Sequence, residues 1–187
     1  MLEDLSQHIL DIAENSLNAK ASEIRISLSE DTGVDQVILE IQDNGSGMDK
    51  ETLLKVVDPF TTSRTTRRVG LGLPFLKQSA ELCEGEFDIE STEGKGTLVR
   101  ASFRLNSIDR PPLGDIPSTL VSLLVAHPLI NWSYEHRFND ETFLVNSSEI
   151  IEILGEPEAL GNPEIALWLK EFFLENITSL RAGLPFN

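Results

Sequence analysis

Leu5-Ser6-Gln7-His8-Ile9-Leu10-Asp11-Ile12-Ala13-Glu14-Asn15-Ser16-Leu17-Asn18-Ala19 is the stretch on which the reading of this chain turns. Leu5, Ile9, Ile12, Ala13 and Leu17 recur at helical spacing, which predicts a helix over 3–19 with one face in a core. His8, Asp11, Asn15 and Asn18, spaced by three, four and three residues, form a second stripe opposite the apolar one. A solvated helix face ordinarily carries Glu, Lys and Arg, whereas asparagine is a poor helix former. Two asparagines within one turn therefore point to contact with a ligand. An amide oxygen suits magnesium, which keeps several waters and takes few protein ligands. Asp11, one turn before Asn15, projects from the same side and could orient a water against a phosphate. On these residues alone, ligand contact and a plain wet surface both stay open.

Outward from this helix, Glu23–Ser29 and Gln36–Asp43 alternate as strands around the turn Asp31-Thr32-Gly33. Asp43-Asn44-Gly45-Ser46-Gly47-Met48 follows at the strand end, where a carboxylate can accept from an amino group and glycines let backbone approach a flat ring. A short helix is expected around Asp49–Val57, then the polar segment Thr61–Arg68. Gly70-Leu71-Gly72-Leu73 opens a helix over Leu71–Leu82, and exposed N–H groups at such a start hold phosphates. Gly85 is expected to close that helix as its left-handed residue. Phe87–Glu90 and Thr97–Leu105 read as strands around Gly94-Lys95-Gly96, the second with Val99, Ala101, Phe103 and Leu105 inward and Arg100, Ser102 and Arg104 wet.

In this order and spacing the segments resemble the GHKL (Bergerat-fold) ATPase superfamily, in particular the histidine-kinase-like ATPase domain as found in compact stand-alone bacterial ATP-binding proteins. ENSLNA at Glu14–Ala19 is similar to the asparagine box of that family and DNGSGM at Asp43–Met48 to its first glycine box. DPFTTSR at Asp58–Arg64 resembles its phenylalanine box, VGLGLPFLKQSAE at Val69–Glu81 its second glycine box, and GKGT at Gly94–Thr97 its terminal strand signature. The resemblance implies ATP and Mg2+ as ligands, with Asn15 on the metal and Asp43 on the adenine amino group beside Gly45, Gly47, Met48 and Thr97. It places Gly70, Leu71, Gly72 and Leu73 near the phosphates and makes Thr61–Arg68, with Phe60, Thr62 and Arg64, the lid; Arg67 and Arg68 add charge there. Asn18 completes the nucleotide-facing set. Asp11 stands where clamp-type ATPases of the family have their glutamate base and sensor kinases often have asparagine, so it is the candidate general base, shorter by one methylene.

The match covers residues 1–106 and implies an α/β two-layer sandwich, α+β in arrangement, with a mostly antiparallel mixed sheet. Residues 107–187 are read as a small α+β extension packed on it. Asp109–Asp115 forms a linker or ordered boundary loop, and Ser118–Ala126 a helix. Trp132, Tyr134, His136 and Phe138 alternate in a strand that pairs with Thr142–Val145. Ser147 is expected to cap a short helix stopped by Gly155. Asn162-Pro163-Glu164 starts a helix with Ile165, Trp168, Leu169, Phe172 and Phe173 as its core face.

The whole chain carries 31 acids against 15 bases, a net charge of −16 over 187 residues. That field disfavours nucleic acid and anionic membrane as partners. One cysteine, Cys83, cannot form an internal disulfide. The acidic start resembles no signal peptide and no run approaches the roughly 20 apolar residues of a membrane span, so a cytoplasmic location is expected. The hairpin that carries the phosphoaccepting histidine in sensor kinases has no counterpart in these residues, so self-phosphorylation is not expected. Three functions follow from the resemblance: a kinase module that passes phosphate to an unknown partner protein, a nucleotide-dependent binding switch, and a slow ATPase clamp. The clamp is least favoured, because 107–187 offers one lysine, Lys170, for the γ-phosphate contact.

Overall fold

A computed structural model describes residues 4–56 and 72–182. Its helices are α1 Leu5–Asn18, α2 Lys50–Val56, α3 Gly72–Leu82, α4 Ile116–Ala126, α5 Ser147–Leu154 and α6 Pro163–Leu180. Its strands are β1 Glu23–Asp31, β2 Gln36–Asp43, β3 Phe87–Thr92, β4 Gly96–Arg104, β5 Asn131–Phe138 and β6 Glu141–Asn146. The described strands form a six-stranded sheet in the order β3-β4-β2-β1-β5-β6. β5 runs parallel to β1 and every other pairing is antiparallel. The result is the expected two-layer sandwich with a mostly antiparallel mixed sheet.

The period-2 pattern explains the layering. Ile24, Ile26 and Leu28 of β1, Val37, Leu39 and Ile41 of β2, and Val99, Ala101 and Phe103 of β4 are all buried on one face. Leu5, Ile9, Ile12 and Ala13 of α1 and Leu76 and Ala80 of α3 pack onto it. Asp4 caps α1 by accepting from the Gln7 N–H at 2.9 Å. The first two donors of the helix, Leu5 and Ser6 N–H, give to the carbonyls of Pro112 and Leu113 at 2.9 and 3.0 Å. The boundary loop is thus ordered, and it ties the start of α1 to the entrance of α4.

Four local expectations are corrected. Gly85 does not end α3 in the left-handed region; Glu84 does, at φ 55°. Gly85 is needed for a different reason: a Cβ there would lie 1.8 Å from the Ser102 carbonyl oxygen. That close approach also buries Ser102, expected on the wet face, whose hydroxyl accepts from the Glu86 N–H at 2.9 Å. Ser147 does not cap α5; Asn146 precedes the helix, and the Ser147 hydroxyl accepts from the Trp132 N–H at 2.9 Å, joining α5 to β5. On α6 the core face is Leu169, Phe173, Ile177 and Leu180 with Ile165 and Phe172 packed partly buried beside it, while Trp168, expected there, is 55% exposed and stacks on Phe172. Gly155 does stop α5, at φ 90°, and Asn162 does cap α6. Among the described residues no helix is long and apolar enough to cross a membrane.

Candidate nucleotide site

A cleft opens where α1, the ends of β2 and β4 and the first turn of α3 meet. Asn15, Ser16, Asp43 and Thr97 give it its polar groups, and Ile12, Met48, Val56, Leu73 and Val99 its apolar walls. Such a mix of apolar lining and few convergent polar groups is the usual make-up of a small-molecule site. Asp43 is the last residue of β2 and pairs in register with Thr97 on β4, so strand geometry sets the two side by side. Both carboxylate oxygens of Asp43 are anchored. Oδ1 accepts from the Gly45 N–H at 2.8 Å, and Oδ2 accepts from the Ser16 hydroxyl at 2.7 Å.

The loop after Asp43 is shaped by its glycines. Gly47 has φ +62°, and a Cβ there would sit 2.0 Å from the Thr92 carbonyl oxygen. Gly45 lies against the end of α1, and the Ser46 N–H donates to the Ala19 carbonyl at 2.8 Å. The Met48 N–H donates to the Ser91 hydroxyl at 2.8 Å, which seats the loop on the β3–β4 hairpin.

At the other end of the cleft the Asn15 amide donates to Asp11 Oδ2 at 3.4 Å. Gly72 abuts the same carboxylate so closely that a Cβ would fall 1.8 Å from Oδ2. Burial raises the Asp11 pKa, the Glu14 charge adds to this, and the Asn15 hydrogen bond partly offsets both. A carboxylate shifted this way is a better base near neutral pH. His8, placed by spacing on the polar stripe, is fully buried, and neither ring nitrogen has a hydrogen-bond partner among the described residues. Burial lowers its pKa to about 4 against a smaller opposing effect of Asp4, so it is neutral at pH 7 and holds no hydrogen bond to Asp11.

Of the residues singled out from sequence, Asn15, Asp43, Gly47, Met48, Leu73 and Thr97 converge on the cleft. Gly45 and Gly72 back its walls, and Asp11 lies beside Asn15. Asn18, in the last turn of α1, is exposed and is not among the residues that line the cleft. Phe60, Thr62, Arg64, Arg67, Arg68, Gly70 and Leu71 lie outside the described residues. Ser16 and Ser91 were missed. Ser91 falls just past the predicted strand end at Glu90, although the alternation Phe87, Ile89, Ser91 carries it onto the helix-facing side.

For magnesium the donor chemistry fits. With its amide nitrogen turned to Asp11, Asn15 keeps a carbonyl oxygen as a hard, neutral ligand. Among the described residues no cluster of three or more His, Cys, Asp or Glu could hold a metal alone. A magnesium ion here would thus be shared between Asn15 and the phosphates of a nucleotide, the arrangement that ion favours.

The family model for histidine kinase-, DNA gyrase B- and HSP90-like ATPases matches residues 2–107. A putative sensor protein of Shewanella frigidimarina is 38% identical over 110 residues, covering 57% of this chain and 17% of that one. Sensor histidine kinase YxdK of Bacillus subtilis is 34% identical over 83 residues, covering 42% of this chain and 26% of the kinase. The chain thus spans only about a quarter or a sixth of the length of these relatives. The Aquifex aeolicus MutL ATPase domain, solved with ADP, superposes with a TM-score of 0.50 at 14% identity, over 83% of this chain and 70% of that one. The N-terminal domain of a DNA repair protein superposes with a TM-score of 0.52 at 18% identity, over 77% and 52%. These structures share the Bergerat fold, and the chain belongs to the histidine kinase-, DNA gyrase B- and HSP90-like ATPase family.

Proposed function

We propose that the protein binds ATP with magnesium in this cleft and passes the γ-phosphate to a side chain of a partner protein. The single observation that carries this reading is the joining of Asp43, Thr97 and Asn15 in one cleft, with anchored hydrogen-bonding groups at one end and the raised Asp11 carboxylate hydrogen-bonded to Asn15 beside the other. The apolar walls fit a purine, and Asp43 accepts from its amino group. Asn15 is the residue that would hold magnesium, which when bound would supply neutralisation of phosphate charge. Asp11 takes a proton from the incoming hydroxyl or imidazole, or positions water when no acceptor is present. On this reading residues 1–106 are the nucleotide-binding unit, residues 107–187 an extension that meets the partner, and the setting is cytoplasmic. The net charge of −16 favours a protein partner over nucleic acid.

A binding switch is the second reading, favoured by the hydrogen bonds from Leu5 and Ser6 to Pro112 and Leu113. They connect the helix that holds nucleotide directly to α4, so a shift of α1 would reach the C-terminal elements.

The discriminating experiment follows γ-labelled ATP in the presence of magnesium. The wild type should release labelled phosphate slowly and Asp11→Asn about a hundredfold more slowly, the lower end of what one general base contributes. Label that stays on ATP in both proteins, with binding intact, excludes hydrolysis by the chain alone and leaves transfer to a partner and the switch to be separated by adding the partner protein. In the same samples chelation of magnesium should lower ATP affinity about tenfold in the wild type and leave Asn15→Ala unaffected. Equal magnesium dependence in both would remove Asn15 from the metal.

A further inference from the structure

Asp43 and Thr97 stand in one row across three strands, because Thr97 pairs with Asp43 on one side and with Ser91 on the other. Asp43 is fixed as an acceptor by Ser16 and Gly45. Thr97 is different: a hydroxyl has one proton and two lone pairs, and it presents whichever its neighbours leave over. The neighbour that decides is Ser91. Its hydroxyl lies 2.9 Å from the Thr97 hydroxyl and 3.1 Å from the Gly96 carbonyl, and it accepts from the Met48 N–H at 2.8 Å.

Ser91 has a single proton for two takers. If it goes to the Gly96 carbonyl, the Thr97 contact requires Thr97 to donate back to Ser91, and Thr97 then shows the cleft lone pairs alone. If it goes to Thr97, the shorter of the two contacts, the Thr97 proton turns into the cleft. An acceptor beside a donor complements the 6-amino group and N1 of adenine. An acceptor beside an acceptor complements no purine with a free N1 lone pair, and it admits one that carries N1–H.

We infer that Ser91 donates to Thr97 and so orients the Thr97 proton toward the base, making Ser91 the positioning residue for selection of adenine over purines with N1–H. The inference rests on the adenine-nucleotide reading of the cleft. Ser91 touches no nucleotide itself; it acts through Thr97. Its second task, accepting from Met48, seats the glycine loop and affects every nucleotide alike. Selectivity, not affinity, therefore reports the relay.

The test measures affinities of the full chain by calorimetry for ATP, ITP, which carries N1–H and O6, and purine riboside triphosphate, which keeps N1 as acceptor and lacks the amino group. In Ser91→Ala the ATP-to-ITP and purine riboside-to-ITP affinity ratios should each fall roughly five- to tenfold, the scale of one hydrogen bond. Ser91→Thr, which keeps the hydroxyl, should restore both ratios. On a Thr97→Val background, Ser91→Ala should leave the ratios unchanged. If Ser91→Ala does not fold, Ser91→Cys takes its place, and its weak S–H donor should lower the same ratios. Equal losses for all three nucleotides would make Ser91 a loop support only and overturn the inference while leaving ATP binding standing. A wild type that binds these triphosphates without preferring ATP overturns it as well, and a wild type that binds none overturns the nucleotide reading with it.

Discussion

Glu30→Gln should destabilise the fold by about 3–5 kcal/mol, the usual effect of removing one partner from a buried ion pair. Glu30, His136 and Arg181 are 0%, 0% and 3% exposed. Arg181, just past α6, sits with Nε 2.8 Å from Glu30 Oε1, and His136 Nε2 is 2.9 Å from the same oxygen. The Tyr134 hydroxyl continues the chain to His136 Nδ1 at 2.9 Å. Glutamine keeps the shape and one acceptor, but it removes the negative charge that faces the buried Arg181 guanidinium. Urea unfolding of wild type and Glu30→Gln checks the figure, and a difference below about 1 kcal/mol would mean the pair contributes little beyond its desolvation cost. Adding Arg181→Met should recover part of the loss, because the double variant no longer holds a buried cation opposite the missing carboxylate.

The same carboxylate gives this difference a pH dependence. Burial by itself raises the Glu30 pKa, but the His136 hydrogen bond and the Arg181 charge outweigh burial and hold it below its ordinary 4.5. A group whose folded pKa is depressed stabilises the fold above its unfolded pKa. That contribution is lost as pH falls through the folded value. The stability gap between wild type and Glu30→Gln should therefore be full above about pH 5 and close in stronger acid. His8 acts separately and equally in both proteins: its folded value near 4 makes its share decline from pH 6.5 downward.

How much of this was legible follows from how far each signal reaches along the chain. The α1 stripes, the alternation of β1 and β2 and the glycine turns are local patterns, and the family resemblance that their order and spacing carry is what implied that Asn15, Asp43, Gly47 and Thr97 meet, as they do in the cleft. The buried network is not local. Glu30 lies in the run Ser27–Gly33, which reads as a polar strand end, and its His136 partner is 106 positions away. Strand pairing between β1 and β5 is what brings them together. His8 was misplaced for a related reason: helical spacing gives the angle of a side chain and says nothing of what packs against it. On α6 the large aromatics drew the core face about a quarter turn away from Ile177 and Leu180, since hydrophobicity alone does not distinguish a buried Phe173 from an exposed Trp168. Ser91 needed the β3–β4 register, which turn residues alone do not reveal.

Asp43→Asn should weaken ATP binding by roughly 100-fold while changing unfolding free energy by about 1 kcal/mol or less. The estimate combines the loss of a charged acceptor for the adenine amino group with the mispairing that an amide introduces, each on the scale of a charge-assisted hydrogen bond. Asn at this position has one acceptor and one donor end. The Gly45 N–H, 2.8 Å from Oδ1, is a fixed backbone donor and holds the amide oxygen, which leaves the NH2 group at the Oδ2 position. There the Ser16 hydroxyl, now 2.7 Å from Oδ2, can turn and accept, so the fold tolerates the change. The nucleotide does not. Its amino group meets a donor instead of a second carboxylate lone pair, whereas a purine with O6 meets a complement for the first time. Calorimetry with ATP and GTP on both proteins decides the matter, with thermal unfolding as the control on structure. A collapsed ATP-over-GTP preference with an unchanged melting temperature would support Asp43 as the base reader. An unaltered preference would place the base elsewhere and leave the carboxylate a loop anchor for Gly45.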